Sequence, residues 1–415
     1  MKRRTIILFI LSLTYVIYSQ TLSLDECVQS ALENNPDLQK SEFSLQQSQI
    51  STKQAWSALY PTASANASTS RSGALVSDTQ DNADWNWSLG GSVNQQFYRP
   101  GMYSGIGLAR VRQESSEYSV AALQSQIRAT VEKLYFQILA SDTLVGVYEA
   151  NIRLSDEQIV KMERMVDVGF KRQSDLLKSR VQRGTFETQL IREIETAAST
   201  RRTLNILMGR QPNATFDVIP LAVDRISIPE YRTAFTMMLE DNPDIKRLKS
   251  QVDVQKLSLG IAREAYLPSM SGSYSYSQRQ NTFGGPAIES DQVSIHLSID
   301  LFDGFSKSQN VQKSSLNLDE ARLDYEAALR DLDEALSNQY MALDTQNKLI
   351  AIHETNLISA RKDLEVVSEQ YATGFSTILD LTDAQVSVLE SETNLLRDLY
   401  TRKQIEAEIR RLIGN

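Results

Sequence analysis

The chain is built from two copies of one unit, and this duplication limits the folds open to it. The segment 32–38 (LENNPDL) returns as 239–245 (LEDNPDI) at an offset of 207, and Gly169 returns as Gly374 at an offset of 205. A nearly constant offset predicts a repeated supersecondary unit whose loops differ slightly in length. We expect a first repeat over 20–210, a second repeat over 230–415, and a proline-punctuated linker over 211–229.

Each repeat opens on a helical stretch, over 22–59 in the first copy and 230–266 in the second. An Asn-Pro-Asp triplet lies inside each stretch, centred on Pro36 and on Pro243. Proline favours the first turn of a new helix. Each stretch is therefore predicted to form a short helix, a break and a longer helix.

Two strand-like segments follow in each repeat, where apolar and polar residues alternate. They cover 62–71 and 85–98 in the first repeat, and 269–277 and 291–302 in the second. Alternation over about ten residues is typical of a membrane β-strand, apolar towards lipid and polar towards a lumen. An ordinary half-buried sheet is the alternative. Because four strands cannot close a barrel, insertion into a membrane would require several chains to pool their strands in a ring.

A long helix without proline is predicted next in each repeat, over 102–168 and 305–373. Apolar residues keep a seven-residue spacing from Val131 to Val166, and again from Leu336 to Tyr371. A sustained seven-residue repeat indicates coiled-coil packing.

A return helix is expected after each long helix, over 174–208 and 377–413. Gly169 and Gly374 lie just before these segments, where a glycine commonly ends a helix in the left-handed conformation. Each repeat should therefore contain one long helical hairpin.

Residues 1–19 are predicted to be a signal peptide. A positive start at Lys2, Arg3 and Arg4 precedes an apolar segment, 5–18, of signal-peptide length. An uncleaved anchor is the alternative. No later stretch of the sequence approaches the length of a membrane-spanning helix, so any other membrane insertion must use strands.

Composition excludes several classes of protein. One cysteine and two histidines leave no disulfide framework and no Cys/His zinc site, and we expect neither a metal nor another cofactor. Cys27 should be a small buried residue, and His296 and His353 should be structural. A net charge of −9 argues against a nucleic-acid partner. No convergent set of catalytic side chains is present, so an enzyme is not expected.

Two turn sequences carry a family resemblance. The segment 371–385 (YATGFSTILDLTDAQ) resembles the Tyr-x-x-Gly…Leu-Asp-Val-Leu-x-Ala turn of TolC-type outer-membrane efflux proteins. The segment 168–176 (VGFKRQSDL) resembles the shorter first-repeat partner of that turn. The duplication, the strand pairs and the long helices extend the resemblance over essentially the whole chain after the leader.

The resemblance implies an α+β membrane protein with a long coiled-coil helical tunnel and four transmembrane strands per chain. A homotrimer would complete a 12-stranded barrel in the outer-membrane lipid of a Gram-negative bacterium, with the tunnel in the periplasm and the linker in its equatorial region. The implied function is the exit duct of a tripartite efflux or type I secretion system. Its partners would be a periplasmic adaptor protein and an inner-membrane transporter.

The resemblance also assigns roles to residues of the two turns. Asp380 and Asp383 match acidic residues that ring the tunnel constriction, and Asp175 and Tyr371 match residues of the closed gate. Ser376 stands where some members carry an arginine that pairs across the gate, and Lys178 is a candidate replacement for that charge. The implied docking turns for an adaptor contain six residues: Val168, Gly169, Phe170, Gly374, Phe375 and Ser376.

Two alternatives compete with these assignments. Thr377 and Asp380 have the spacing of a capping box, so this carboxylate has a purely structural interpretation. At the level of the whole chain, a periplasmic coiled-coil adaptor or scaffold is the main rival. It predicts a single helical hairpin with a β-rich domain, whereas a channel predicts two duplicated hairpins.

Overall fold

The computed structural model describes residues 20–72, 84–221, 227–280 and 286–414, and within these ranges most residues are helical. The predicted signal peptide, 1–19, lies outside the described residues. The helices are α1 (Leu24–Asn34), α2 (Pro36–Ser57), α3 (Met102–Asp167), α4 (Gln173–Leu207), α5 (Tyr231–Asp241), α6 (Pro243–Glu264), α7 (Ser306–Thr373) and α8 (Ile378–Leu412). The strands are β1 (Gln20–Leu22), β2 (Thr62–Ser72), β3 (Asp84–Tyr98), β4 (Phe216–Val218), β5 (Ser269–Gln280) and β6 (Ile288–Ser298).

The helices of the two repeats correspond in length. Helices α1 and α5 have 11 residues each, and α2 and α6 have 22 each. Helices α4 and α8 have 35 each, while α3 has 66 and α7 has 68. Within the described ranges, no helix is both long enough and apolar enough to cross a membrane.

Two compact units make up the fold, and each draws on both repeats. The first, called unit 1 below, contains the described residues of Met1–Pro36, Gln126–Ile228 and Gln339–Arg410. The second, called unit 2, contains the described residues of Asp37–Ser125, Pro229–Asn338 and Arg411–Asn415.

Unit 2 contains a four-stranded antiparallel sheet in the order β2-β3-β5-β6. On one face serine hydroxyls bond across the strands, as between Ser64 and Ser92 at 2.9 Å and between Ser273 and Ser294 at 2.7 Å. The other face carries apolar side chains that remain exposed: Val293 is 76% exposed. An ordinary half-buried sheet would cover this face with the rest of its own chain, and the described residues do not.

Strand β6 begins and ends earlier in the chain than the sequence pattern suggested. The alternation predicted a strand over 291–302, whereas β6 begins at Ile288 and ends at Ser298. Ser298 pairs with Ser269, the first residue of β5, which follows Pro268. Residues beyond 298 therefore have no partner on β5, and their apolar alternation continues without a ladder.

Unit 1 contains a small parallel pairing that the sequence analysis missed. β1 pairs with β4, so part of the predicted linker 211–229 is a strand. The hydroxyl of Tyr135, which is fully buried, donates to the carbonyls of Leu22 at 3.2 Å and Ile219 at 2.8 Å. Three residues per strand are too few to show any periodicity, which is why this pair was not predicted. Cys27 is 0% exposed and free, as expected.

The seven-residue pattern of α3 drifts around the helix. Val131 and Ile138 are fully buried as predicted, but further along the buried positions are Tyr148, Ser155 and Met162. The predicted apolar positions between 145 and 166 are only half-buried there. A straight helix rotates a strict seven-residue repeat by about 20° per heptad. The predicted stripe therefore moves from the centre of the contact to its edge.

Candidate functional site

The turns that join α3 to α4 and α7 to α8 have the same backbone geometry. Gly169 and Gly374 have φ values of 75° and 87°, in the region that favours glycine. The amide of Phe170 donates to the carbonyl of Met165 at 2.7 Å, and that of Phe375 to the carbonyl of Gln370 at 2.8 Å. This is the hydrogen bond of a Schellman motif. The prediction that the glycines end the two long helices is confirmed.

Apolar side chains are exposed at both turns. Val168, Phe170 and Phe375 are 78%, 77% and 88% exposed. Ser376, by contrast, is half-buried. Large exposed apolar side chains that cluster at one place are typical of a contact surface for another molecule.

Asp380 caps the start of α8. Its Oδ2 accepts from the amide of Thr377 at 2.8 Å and from the hydroxyl of Ser376 at 3.1 Å, while its own amide donates to the Thr377 hydroxyl at 3.3 Å. The capping box inferred from the spacing is confirmed. The side-chain hydrogen bond from Thr377, followed by the backbone bond from Thr377 and the bond from Ser376, lowers the pKa of the Asp380 carboxyl.

Asp383 lies one helical turn further along, on the same side of α8 as Asp380. It is exposed and makes no hydrogen bond or ion pair within the described residues. The two carboxylates therefore differ, because one is occupied as a cap and the other is free to face solvent or another chain.

Tyr371 connects the two turns. Its hydroxyl donates to the Sδ of Met162 at 3.3 Å. The Nζ of Lys171 lies 3.8 Å from the Tyr371 ring centroid and donates to the Tyr371 carbonyl at 3.3 Å. This cation–π contact joins the first-repeat turn to the second-repeat helix. Burial, and then the nearby Asp175 carboxylate, raises the pKa of Tyr371.

Lys171 was missed by the sequence analysis, although the duplication could have identified it. At the offset of 205, Lys171 is the counterpart of Ser376. The first-repeat turn therefore carries a cation at the position where the second-repeat turn has Ser376. Lys178, the candidate suggested by the sequence, is exposed and has no hydrogen bond or ion pair among the described residues.

A small apolar core holds the two hairpins of unit 1 together beside these contacts. Met162 from α3, Leu176 from α4, and Ile378 and Leu381 from α8 are all buried. Tyr371 packs against this cluster from α7. Asp175 precedes Leu176 in the first turn of α4, so the predicted gate residues Asp175 and Tyr371 are brought close together. Among the described residues, no group of acidic, histidine or cysteine side chains could hold a metal ion.

Comparison with known proteins extends over nearly all of the described chain. The model of the outer membrane efflux protein family matches residues 27–210 and 235–415. The outer membrane protein TolC of Vibrio cholerae is 20% identical over 336 residues, covering 79% of this chain and 76% of that protein. The alkaline protease secretion protein AprF of Pseudomonas aeruginosa is 24% identical, and the match covers 74% of this chain but only 63% of AprF.

Solved structures share the fold. CusC superimposes with a TM-score of 0.85 at 17% identity, with 94% of this chain and 92% of that chain covered. The CmeC outer membrane channel of Campylobacter jejuni gives a TM-score of 0.82 at 19% identity, with 94% and 85% covered. The duplicated hairpins and the exposed sheet face thus define a chain with the fold of outer-membrane channels. It belongs to the outer membrane efflux protein family, as the turn sequences indicated, and it is an outer-membrane protein.

Proposed function

We propose that three copies of this chain form the exit duct of a tripartite efflux or type I secretion system. The exposed apolar face of the β2-β3-β5-β6 sheet supports this proposal most strongly. The outer strands β2 and β6 have no further partner among the described residues, and open strand edges are not tolerated in lipid. Four strands from each of three chains give a closed ring of twelve, with the apolar face towards the lipid.

The mass of the particle tests the ring. Protein extracted in detergent from outer membranes should have three times the chain mass by light scattering, after the detergent is subtracted. A monomer in that preparation would refute the pooled barrel. The rival adaptor function predicts a single helical hairpin, whereas the described chain has two, α3–α4 and α7–α8.

In this proposal the tips of the hairpins form the gate. The apolar core around Met162 and Leu381 and the contact between Lys171 and Tyr371 hold the closed arrangement within each chain. Asp380 and Asp383 of three chains would ring the narrow end and favour cations, because acidic rings select for positive charge.

Ion selectivity tests the acidic rings. The double change Asp380→Ala with Asp383→Ala should reduce the cation preference of single channels in planar bilayers and weaken block by multivalent cations. The matched control is Asp363→Ala, which removes an exposed carboxylate of α7 outside the turns. Equal selectivity in the wild type and the double variant would refute the acidic rings.

The exposed side chains of the turns would receive a periplasmic adaptor, which in turn recruits an inner-membrane transporter. Val168, Phe170 and Phe375 offer the apolar area that such a contact buries. Replacing both phenylalanines with serine should abolish adaptor crosslinking and resistance while leaving trimers in the outer membrane. Crosslinking at the wild-type yield would show that the adaptor docks elsewhere.

The names of the relatives leave two cargo classes open. TtgC of Pseudomonas putida, 22% identical over 404 residues, is named as a probable efflux pump outer membrane protein, and AprF as a protease secretion protein. A deletion strain tested for both drug susceptibility and secreted proteins separates the two. A strain that loses neither resistance nor secretion, with paralogues also deleted, would refute export.

A further inference from the structure

A cavity of about 220 Å³ lies between the tips of the two hairpins of unit 1. Met162 and Met165 line it from the first repeat, and Tyr371 lines it from the second. Two cationic side chains, Lys161 and Lys171, also line the cavity. The cavity is therefore shared by the two repeats, beside the contacts that join them.

The charge of this lining is one-sided. No carboxylate is present among the described residues that line the cavity. Lys171 is engaged with the Tyr371 ring, but Lys161 is exposed and has no hydrogen bond or ion pair among the described residues. A free ammonium group beside an apolar wall suits a ligand with an anionic head and an apolar body.

The size of the cavity limits the ligand. Sites for drug-sized molecules have volumes of about 300–1,000 Å³, so this cavity suits a smaller molecule. Thioether sulfurs and a tyrosine ring make favourable contacts with aromatic rings. These features together point to a small aromatic carboxylic acid.

We propose that this cavity binds a small aromatic carboxylate, with its carboxylate on Lys161 and its ring against the wall formed by Met162, Met165 and Tyr371. Because residues of both hairpins line the cavity, a bound acid contacts both of them and favours the arrangement in which they are packed together. Binding of the acid would therefore oppose separation of the tips of the two hairpins. The binding itself requires no assumption about what the chain exports.

Titration of the full-length protein in lipid nanodiscs tests this site, with 1-naphthoate as the probe and saturation-transfer difference NMR as the measurement. We expect saturable binding with a Kd on the order of 1 mM, which is ordinary for a ligand of this size. Lys161→Gln should raise the Kd about tenfold, which corresponds to about 1.4 kcal/mol. Empty nanodiscs give the contribution of the lipid.

Two controls make the result specific. Lys178→Gln removes an exposed lysine of α4 that does not line the cavity, and it should leave the Kd unchanged. The neutral amide 1-naphthamide should bind with an affinity that Lys161→Gln does not alter. Absence of saturable binding, an unchanged Kd in Lys161→Gln, or an equal loss in Lys178→Gln would each overturn the proposal.

Hydrogen exchange locates the bound acid independently. Naphthoate should slow amide exchange in the peptides around Met162 and Tyr371 and leave the sheet of unit 2 unaffected. Protection that is confined to other regions would place the ligand elsewhere and overturn the assignment.

Discussion

The side-chain amide of Asn242 donates to the carbonyl of Leu412 at 2.9 Å, and so the break between α5 and α6 closes the end of α8. The same bond occurs in the first repeat, where Asn35 donates to Leu207 at 3.0 Å. The last carbonyls of a helix have no partner within the helix. An asparagine before each Pro-Asp pair therefore supplies the partner that the return helix lacks.

Replacing Asn242 with alanine should destabilise unit 2 by about 2 kcal/mol, because two functions are lost. Asn242 is 1% exposed, and its Oδ1 also accepts from the amides of Asp244 and Ile245 at 2.9 and 3.2 Å. Circular dichroism at 222 nm during heating measures the effect as a lower midpoint. Asn317→Ala, at an exposed helical position, is the control and should not lower the midpoint. Equal midpoints for both variants would contradict this role.

Two glycines with positive φ should respond differently to alanine. At Gly209 an added Cβ would lie 2.5 Å from the carbonyl oxygen of Asn34, whereas at Gly169 it would meet nothing within 4 Å. Gly169→Ala should therefore cost only the left-handed strain, about 1–2 kcal/mol. Gly209→Ala adds a clash with backbone and should be the more damaging change. Thermal midpoints of the two variants decide this, and a larger loss in Gly169→Ala would contradict it.

Loss of the Lys171 side chain should weaken the contact between the tips of the two hairpins. Lys171→Met removes the cation over the Tyr371 ring, an interaction worth about 0.5–1 kcal/mol at a partly exposed site. Single channels should open more often or conduct more, while Lys171→Arg should behave nearly as the wild type. Lys178→Met serves as the control for loss of one positive charge. An identical effect of both methionine variants would show that only net charge matters.

Acid should loosen the first turn of α8. The pKa of Asp380 is lower in the folded chain than its ordinary value of 3.8, so its cap contributes stability above that value. This contribution is lost as the pH falls through the lower, folded pKa. A spin label at Leu379, which is 54% exposed, should therefore become more mobile below about pH 4.

The variant Asp380→Asn separates this cap from general acid effects. Asparagine can still accept the Thr377 hydrogen bonds but does not titrate, so the label mobility should no longer depend on pH in this range. Asp363→Asn should keep the wild-type profile. A pH profile that survives in Asp380→Asn would assign the transition to another group.

The sequence predicted the repeated elements well and the tertiary details less well. The helix break at Pro36 and the cap at Asp380 depend only on neighbouring residues, and local chemistry was enough to identify them. The pairing of β1 with β4 and the end of β6 at Ser298 each depend on residues of another strand. The buried positions of α3 drift around the helix because a straight helix does not repeat after seven residues, and the seven-residue spacing alone does not predict this drift.

In the candidate site, too, the sequence predicted the local features and not the contacts between distant residues. Motif spacing predicts the turn glycines and Asp380, whereas the role of Lys171 follows from a tertiary contact, the position of its Nζ over the Tyr371 ring. Lys178 is the counterpart of Asp383 at the offset of 205, whereas Lys171 is the counterpart of Ser376. A contact between the two repeats cannot be predicted from the sequence of either repeat alone.

The two turns have the same backbone geometry, so the two halves of this chain can be compared with each other position by position. Pseudo-symmetry makes positions 171 and 376 equivalent sites on one scaffold, and a cation can occupy either without altering the loop. Alignment with other chains, column by column, compares Ser376 only with the second-repeat residues of those chains. Alignment of each half of this chain with the other half places the cation of Lys171 opposite Ser376.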